Sequence, residues 1–180
     1  MSQTNASTQT HSDITHQYAR WTVLSALRRG PISSAALVYS ALDRVDFSVL
    51  FDASLPAITQ QEFEAWHTDA MLILVGTERM QQQYGWAAKM LNIYLKTAAY
   101  VGGLGRPGLK ACLHPPIDAG LWGGLSQHFE GHEALRATHR VTVIRQINML
   151  PLYQGIIEGM RRLAHTEGCL LIELEQFWLN

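Results

Sequence analysis

Two residues stand out for the chemistry that their surroundings permit, Lys89 and Asp118. Residues 86–100 read WAAKMLNIYLKTAAY, apolar or aromatic at almost every position, and a helix that is apolar on all sides is normally a buried one. Its polar exceptions are Lys89, Asn92, Lys96 and Thr97. On a 3.6-residue turn, positions 89, 92 and 96 return to one face, which predicts a narrow polar stripe. One reading of that stripe is a solvent side with lysines snorkelling outward. The other is the lining of a cleft, where apolar neighbours desolvate an ammonium and prepare a nucleophilic amine for Schiff-base chemistry. Asp118 comes after His114-Pro115-Pro116-Ile117 and before AGLWGGLSQHF. It suits a helix N-cap, where a carboxylate accepts backbone N–H bonds and meets the positive end of the helix dipole. A capped carboxylate is also fixed in direction, which fits it to stabilise a nearby cation, and the two prolines stiffen its approach.

The elements that must position this pair follow from punctuation and periodicity. Residues 1–12 are rich in Ser, Thr, Asn and Gln and read as a disordered polar tail, leaving 13–180 as a single helical domain. Ser12 or Asp13 can cap a first helix to Arg29, stopped by Gly30-Pro31, and Ser33 or Ser34 opens a second apolar segment to about Leu50. Thr59 with Glu62 forms a capping-box pattern for a long helix from Gln60 to about Met80. The stretch Gln81-Gln82-Gln83-Tyr84-Gly85 reads as a short hairpin turn before the Lys89 helix. Gly102 to Pro116 holds four glycines and three prolines and predicts an irregular loop. Helices follow over Asp118–Phe129, Glu133–Leu150 and Leu152–His165, while Cys169–Leu179 suits strand or helix. With no internal repeat and no strand alternation, the expected class is all-α.

Length and composition agree with a packed domain. The chain has 180 residues, 47% hydrophobic and 16% charged, which favours a core over disorder. Apolar runs such as Ala70–Val75 fall far below the roughly 18 residues that span a bilayer, so no membrane partner is expected. The N-terminal MSQTNASTQTHSD lacks an apolar signal core. Cys112 and Cys169 have neither metal-ligand spacing nor a disulfide framework. A cytoplasmic setting without metal or cofactor is the expectation. The net charge is −1, but it is unevenly distributed. Residues 86–145 carry seven Lys/Arg (Lys89, Lys96, Arg106, Lys110, Arg136, Arg140 and Arg145) against three acids, whereas the flanking segments are acidic. A local basic island is what a phosphate backbone feels.

A hairpin, a helix with an early lysine, a loop, and then Pro-Ile-Asp at a helix start together resemble the helix-hairpin-helix DNA glycosylases. The likeness is greatest to the archaeal type of 8-oxoguanine DNA glycosylase and AP lyase. Ala88-Lys89-Met90-Leu91-Asn92 looks like the Lys-Met part of that family's pattern, and Pro116-Ile117-Asp118 like its Pro-Val/Ile-Asp part. The likeness covers about residues 80–125. Only Gly85 stands in the hairpin where commoner members have a glycine-rich phosphate grip. The resemblance implies a compact multi-helix glycosylase fold and a base-excising hydrolase acting in DNA repair on double-stranded DNA with a damaged or modified base. It implies Lys89 as the nucleophile that attacks C1′ and forms a Schiff base, with Asp118 activating it and stabilising oxocarbenium-like charge. A flipped base would be held by Trp86, Asn92, Trp122 or Trp178. Phosphate contacts would come from Tyr84, Gly85, Lys96, Arg106, Lys110 and Arg140.

Other classes compete for the same residues. His128 and His132 have the i, i+4 spacing of a zinc pair, but Glu130 is not in the HExxH position and Gly131 weakens the helix. Arg161 and His165 share a helix face, as in a ribonuclease centre, or simply complement a helix C-terminus. The main alternative is a non-catalytic helical module that binds nucleic acid or protein through the polar stripe.

Overall fold

A computed structural model of the chain describes residues 2–138 and 143–179. It is all-helical, with no strand among the described residues. The α-helices are α1 (Ser2–Ala26), α2 (Ala35–Leu42), α3 (Ser48–Phe51), α4 (Gln60–Val75), α5 (Tyr84–Leu95), α6 (Leu109–Cys112), α7 (Ala119–His128), α8 (Glu133–Thr138) and α9 (Leu150–Glu167). No helix among the described residues is long and apolar enough to cross a membrane.

The centre of the molecule is α5, as its sequence requires. Ala87, Ala88, Met90, Leu91, Tyr94 and Leu95 are all buried, and the helix packs against α1, α4 and α9. Its last turn widens into a π-helix over Lys96–Val101, a local widening that recurs at functional sites. The expected capping box opens α4: Thr59 Oγ1 accepts from the Glu62 N–H at 3.2 Å and Glu62 accepts from the Thr59 N–H at 2.7 Å. That helix stops at Val75 rather than near Met80, because Thr77 turns to extended backbone and donates its hydroxyl to the Leu74 carbonyl. A 3-10 turn over Glu78–Met80 and a left-handed Gln82 (φ 59°) then bring the chain into α5. The most amphipathic helix is α9, which buries Tyr153, Ile156, Ile157, Met160, Leu163 and Ala164 and ends on Gly168 at φ 67°, the left-handed stop that glycine adopts without strain.

Three expectations need correction. The polar N-terminus is helical from Ser2 rather than a tail; side-chain contacts along it include Gln9 to Asp13 at 3.0 Å and His11 with the Gly102 carbonyl at 3.4 Å. The Gly/Pro stretch 102–116 is not wholly irregular, since Leu109 and Cys112 bury themselves through the short α6. The segment expected as one helix over Glu133–Leu150 holds α8, a 3-10 turn at Ile144–Gln146 and the start of α9, with 139–142 outside the described residues. Residues 171–177, left open between strand and helix, form a 3-10 helix. It packs against α7 and α9 and brings the C-terminal residues to the cleft described next.

Candidate active site

Lys89 projects from the second turn of α5, and only 13% of its side chain is exposed. Asp118 sits at the N-cap of α7 in extended conformation, the geometry in which a carboxylate can accept from the first turn of a helix. Its two oxygens have different tasks. Oδ1 accepts from the Leu121 N–H at 3.1 Å and from the Trp178 indole Nε1–H at 2.7 Å. Oδ2 faces the Lys89 ammonium at 3.3 Å, somewhat longer than the roughly 2.7–2.9 Å of a tight charge-assisted bond. The carboxylate is thus aimed by two N–H donors and left with one oxygen for the lysine. Trp86, on the same helix, places its ring centroid 5.8 Å from the Lys89 ammonium, within the range of a cation–π contact.

The pair opens into a cleft of about 350 Å³ whose apolar wall includes Ala26, Ile93 and Pro116. That is near the lower end of the roughly 300–1,000 Å³ of small-molecule sites. A second ion pair completes the lining: Lys96 meets Glu175 at 2.8 Å. Burial pushes the Glu175 carboxyl above its ordinary range, the Lys96 contact opposes this, and the charge of Asp118 adds to the rise. Glu175 escaped the sequence reading because it lies 79 residues from Lys96, in a segment whose own pattern was ambiguous. Trp178, 46% exposed, lies at the cleft and holds Asp118 at once. Its approach depends on glycine: a Cβ at Gly120 would collide with the Trp178 indole nitrogen, and one at Gly124 with the Phe177 carbonyl oxygen.

The structure therefore joins Lys89, Asp118, Lys96 and Trp178 in one cleft, with Trp86 beside the ammonium. Other expected site residues stand elsewhere. Trp122 is core, 4% exposed, its indole N–H without a hydrogen-bond partner. Asn92 is 1% exposed and turned inward, because its position lies far enough around the helix from Lys89 to meet the packed interior. Gly85 is buried where a Cβ would strike the Ile144 carbonyl, and its N–H donates to the Ile147 carbonyl at 2.9 Å. Tyr84 is half-buried and packs on the core. The Arg106 guanidinium donates to the Pro56 carbonyl at 2.7 Å and reaches toward Val49 and Glu62, a staple of the 49–56 turn. Lys110 is exposed on α6. Arg140 lies outside the described residues. His128 ends α7 and His132 lies beyond a turn with Gly131 at φ 81°, so the two do not share a helix face. Among the described residues no group of three His, Cys, Asp or Glu side chains is placed to hold a metal.

Behind the cleft lies a second polar assembly that the sequence did not suggest. Asn92 Nδ2 donates to the Pro115 carbonyl at 3.0 Å and to the Tyr153 hydroxyl at 3.1 Å, while its Oδ1 accepts from His67 Nε2 at 2.8 Å. The Tyr153 hydroxyl, accepting from Asn92, meets His114 Nδ1 at 2.9 Å, and His114 Nε2 meets Glu64 at 2.9 Å. Arg161 closes the series on the same Glu64 oxygen. Arg161 Nη2 also stands 3.3 Å from His114 Nε2, and both rings are neutral imidazoles because they are buried. Burial pushes both histidines down to about 3, with the His114 charge adding to the effect on His67, and burial raises the Tyr153 phenol. No protein-family model, curated protein or solved structure matches the chain.

Proposed function

We propose that this chain is a DNA glycosylase of the helix-hairpin-helix type, removing a damaged or modified base from duplex DNA through a lysine Schiff base. The observation that carries the reading is the placement of Lys89 Nζ 3.3 Å from the free oxygen of a capped Asp118, inside a cleft. Two motifs 29 residues apart, each unremarkable alone, meet just beyond the roughly 2.6–3.2 Å over which a proton passes directly.

In the proposed reaction Asp118 Oδ2 takes a proton from the Lys89 ammonium, and the freed amine attacks C1′ of the extruded nucleoside. The C1′–N glycosidic bond breaks with its electron pair leaving on the base, which is protonated from solvent. The nitrogen then loses a proton while C1′–O4′ opens and O4′ gains one, leaving an imine between Nζ and C1′. Water returns the lysine and an abasic sugar. Loss of a C2′ proton instead expels the 3′-phosphate and nicks the strand, the AP-lyase branch. Once it has passed the Lys89 proton on to solvent, the Asp118 carboxylate balances positive charge as it develops on the sugar. Trp178 and Trp86 offer aromatic faces beside the cleft for a base out of its stack. Phosphate attraction falls to exposed cations of the basic middle third, such as Lys110, Arg136 and Arg145, because Arg106 and Gly85 are engaged inside.

Borohydride reduction in the presence of abasic-site duplex tests the reading. The parent protein is expected to form a covalent adduct and Lys89→Gln to form none. An adduct mapped to Lys96 keeps the mechanism and moves the nucleophile one face-repeat along the helix. Salt-sensitive DNA binding with no adduct supports the non-catalytic module instead, a reading favoured by the fact that both cleft lysines already have carboxylate partners.

A further inference from the structure

Asn92 stands three residues beyond Lys89 on α5, and Pro115 three residues before Asp118 on the segment that enters α7. The helix and the segment therefore run antiparallel, pinned at two rungs: Lys89 to Asp118 at 3.3 Å and Asn92 to the Pro115 carbonyl at 3.0 Å. The first rung is partly open to solvent and the second is wholly buried. Pro115 and Pro116 leave that stretch little freedom to rotate, so holding the Pro115 carbonyl sets where Asp118 begins. Asn92 itself is held rigid, with its amide oxygen on His67 and its second N–H on Tyr153. Such support is what keeps a reacting pair in register, since misplacement by about 1 Å costs on the order of 100-fold in rate.

We propose that Asn92 is a positioning residue of the site: its amide N–H on the Pro115 carbonyl fixes the Asp118 carboxylate against Lys89 and Trp178. It touches no substrate. Its effect on rate rests on the glycosylase reading, whereas its effect on Asp118 does not.

The test compares Asn92→Leu with Tyr153→Phe. Both disturb the buried assembly, but only the first removes the rung to Pro115. Two readouts are taken on folded protein. One is the indole N–H resonance of Trp178, assigned with Trp178→Phe and calibrated by its position in Asp118→Asn, since that N–H donates to Asp118. The other is the single-turnover rate of base release together with the DNA dissociation constant. Asn92→Leu is expected to move the Trp178 signal most of the way to its Asp118→Asn position. It should also slow base release roughly ten- to 100-fold with little change in DNA affinity. Tyr153→Phe should leave both near the parent values even where it lowers thermal stability as much. If Asn92→Leu leaves the Trp178 resonance in place, or the two variants move it alike, Asn92 is only a core residue and the proposal is overturned. A parent protein that releases no base defeats the glycosylase reading alone, because the resonance still decides the position of Asp118. Should Asn92→Leu fail to fold, Asn92→Ser, whose hydroxyl is too short to reach Pro115, carries the same two readouts.

Discussion

The cleft and the assembly behind it are built from similar numbers of polar groups and share α5, yet they solve opposite problems. In the buried assembly His67, Asn92, Tyr153 and His114 are linked in one hydrogen-bonded chain, and burial keeps both imidazoles neutral. Such a set is rigid. In the cleft the groups are charged and partly wet, and each lysine has a carboxylate partner. Lys89 has three N–H bonds to offer and meets Asp118 through one, while Asp118 keeps Oδ2 clear of the donors that hold Oδ1. On the glycosylase reading, reactivity would follow from capacity left unmet, not from residue type. Burial that makes the first region architecture would, applied to the second, only add a desolvation penalty.

The largest break in this contrast is Lys89→Gln. It removes the amine paired with Asp118, and base release and borohydride trapping should both be lost while the thermal midpoint holds. Asp118→Asn comes next. An asparagine caps α7 as well as an aspartate does, so folding and DNA binding should persist, but turnover should fall roughly 100- to 10,000-fold as the general base and its charge go. A third outcome concerns the buried region alone. His67 and His114 have an ordinary value of 6.5 in the unfolded chain and about 3 in the fold. The unfolded state therefore binds more protons between these limits, and stability should fall as pH drops from about 6.5 toward about 3. Denaturation midpoints that stay flat across that window would show the rings to be charged or wet and erase the contrast. The smallest effect is expected from Trp178→Phe. It takes one of two donors from Asp118 Oδ1 at an exposed position, so stability should change by no more than about 0.5 kcal/mol, with a several-fold loss of turnover measured under single-turnover conditions.

The sequence made some of this readable because local chemistry decided it. Thr59 and Glu62 announce a helix start four residues long, and that start is where the pattern placed it. Lys89 and Asp118 were readable for a different reason: an all-apolar helix makes its lysine conspicuous, and paired prolines make the following aspartate a cap. Asn92 was assigned to the same stripe because helical angle alone cannot separate the edge of a polar face from the first buried row. Arg106 sits in the basic island and Gly85 in the glutamine-rich hairpin stretch, but carbonyls of residues distant in the chain claim their donors. Glu175 and the His114–Glu64 link are long-range pairings with no fixed spacing, so no motif encodes them. The polar N-terminus was read from composition, which does not register the neighbours that hold a helix in place.

The glycines of α7 have an implication for how this protein tolerates change. Gly120, Gly123 and Gly124 make a poor helix, each about 1 kcal/mol less favourable than alanine, and a stability-guided redesign would replace them first. At 120 and 124 that substitution would push the C-terminal segment off the helix and lift the indole from its carboxylate. In a saturation-mutagenesis library these two positions should stand out as places where better helix formers are selected against. Gly123, whose added Cβ would make only an ordinary contact with Leu179 at 3.4 Å, should accept alanine freely, so that neighbouring positions in one turn record opposite histories.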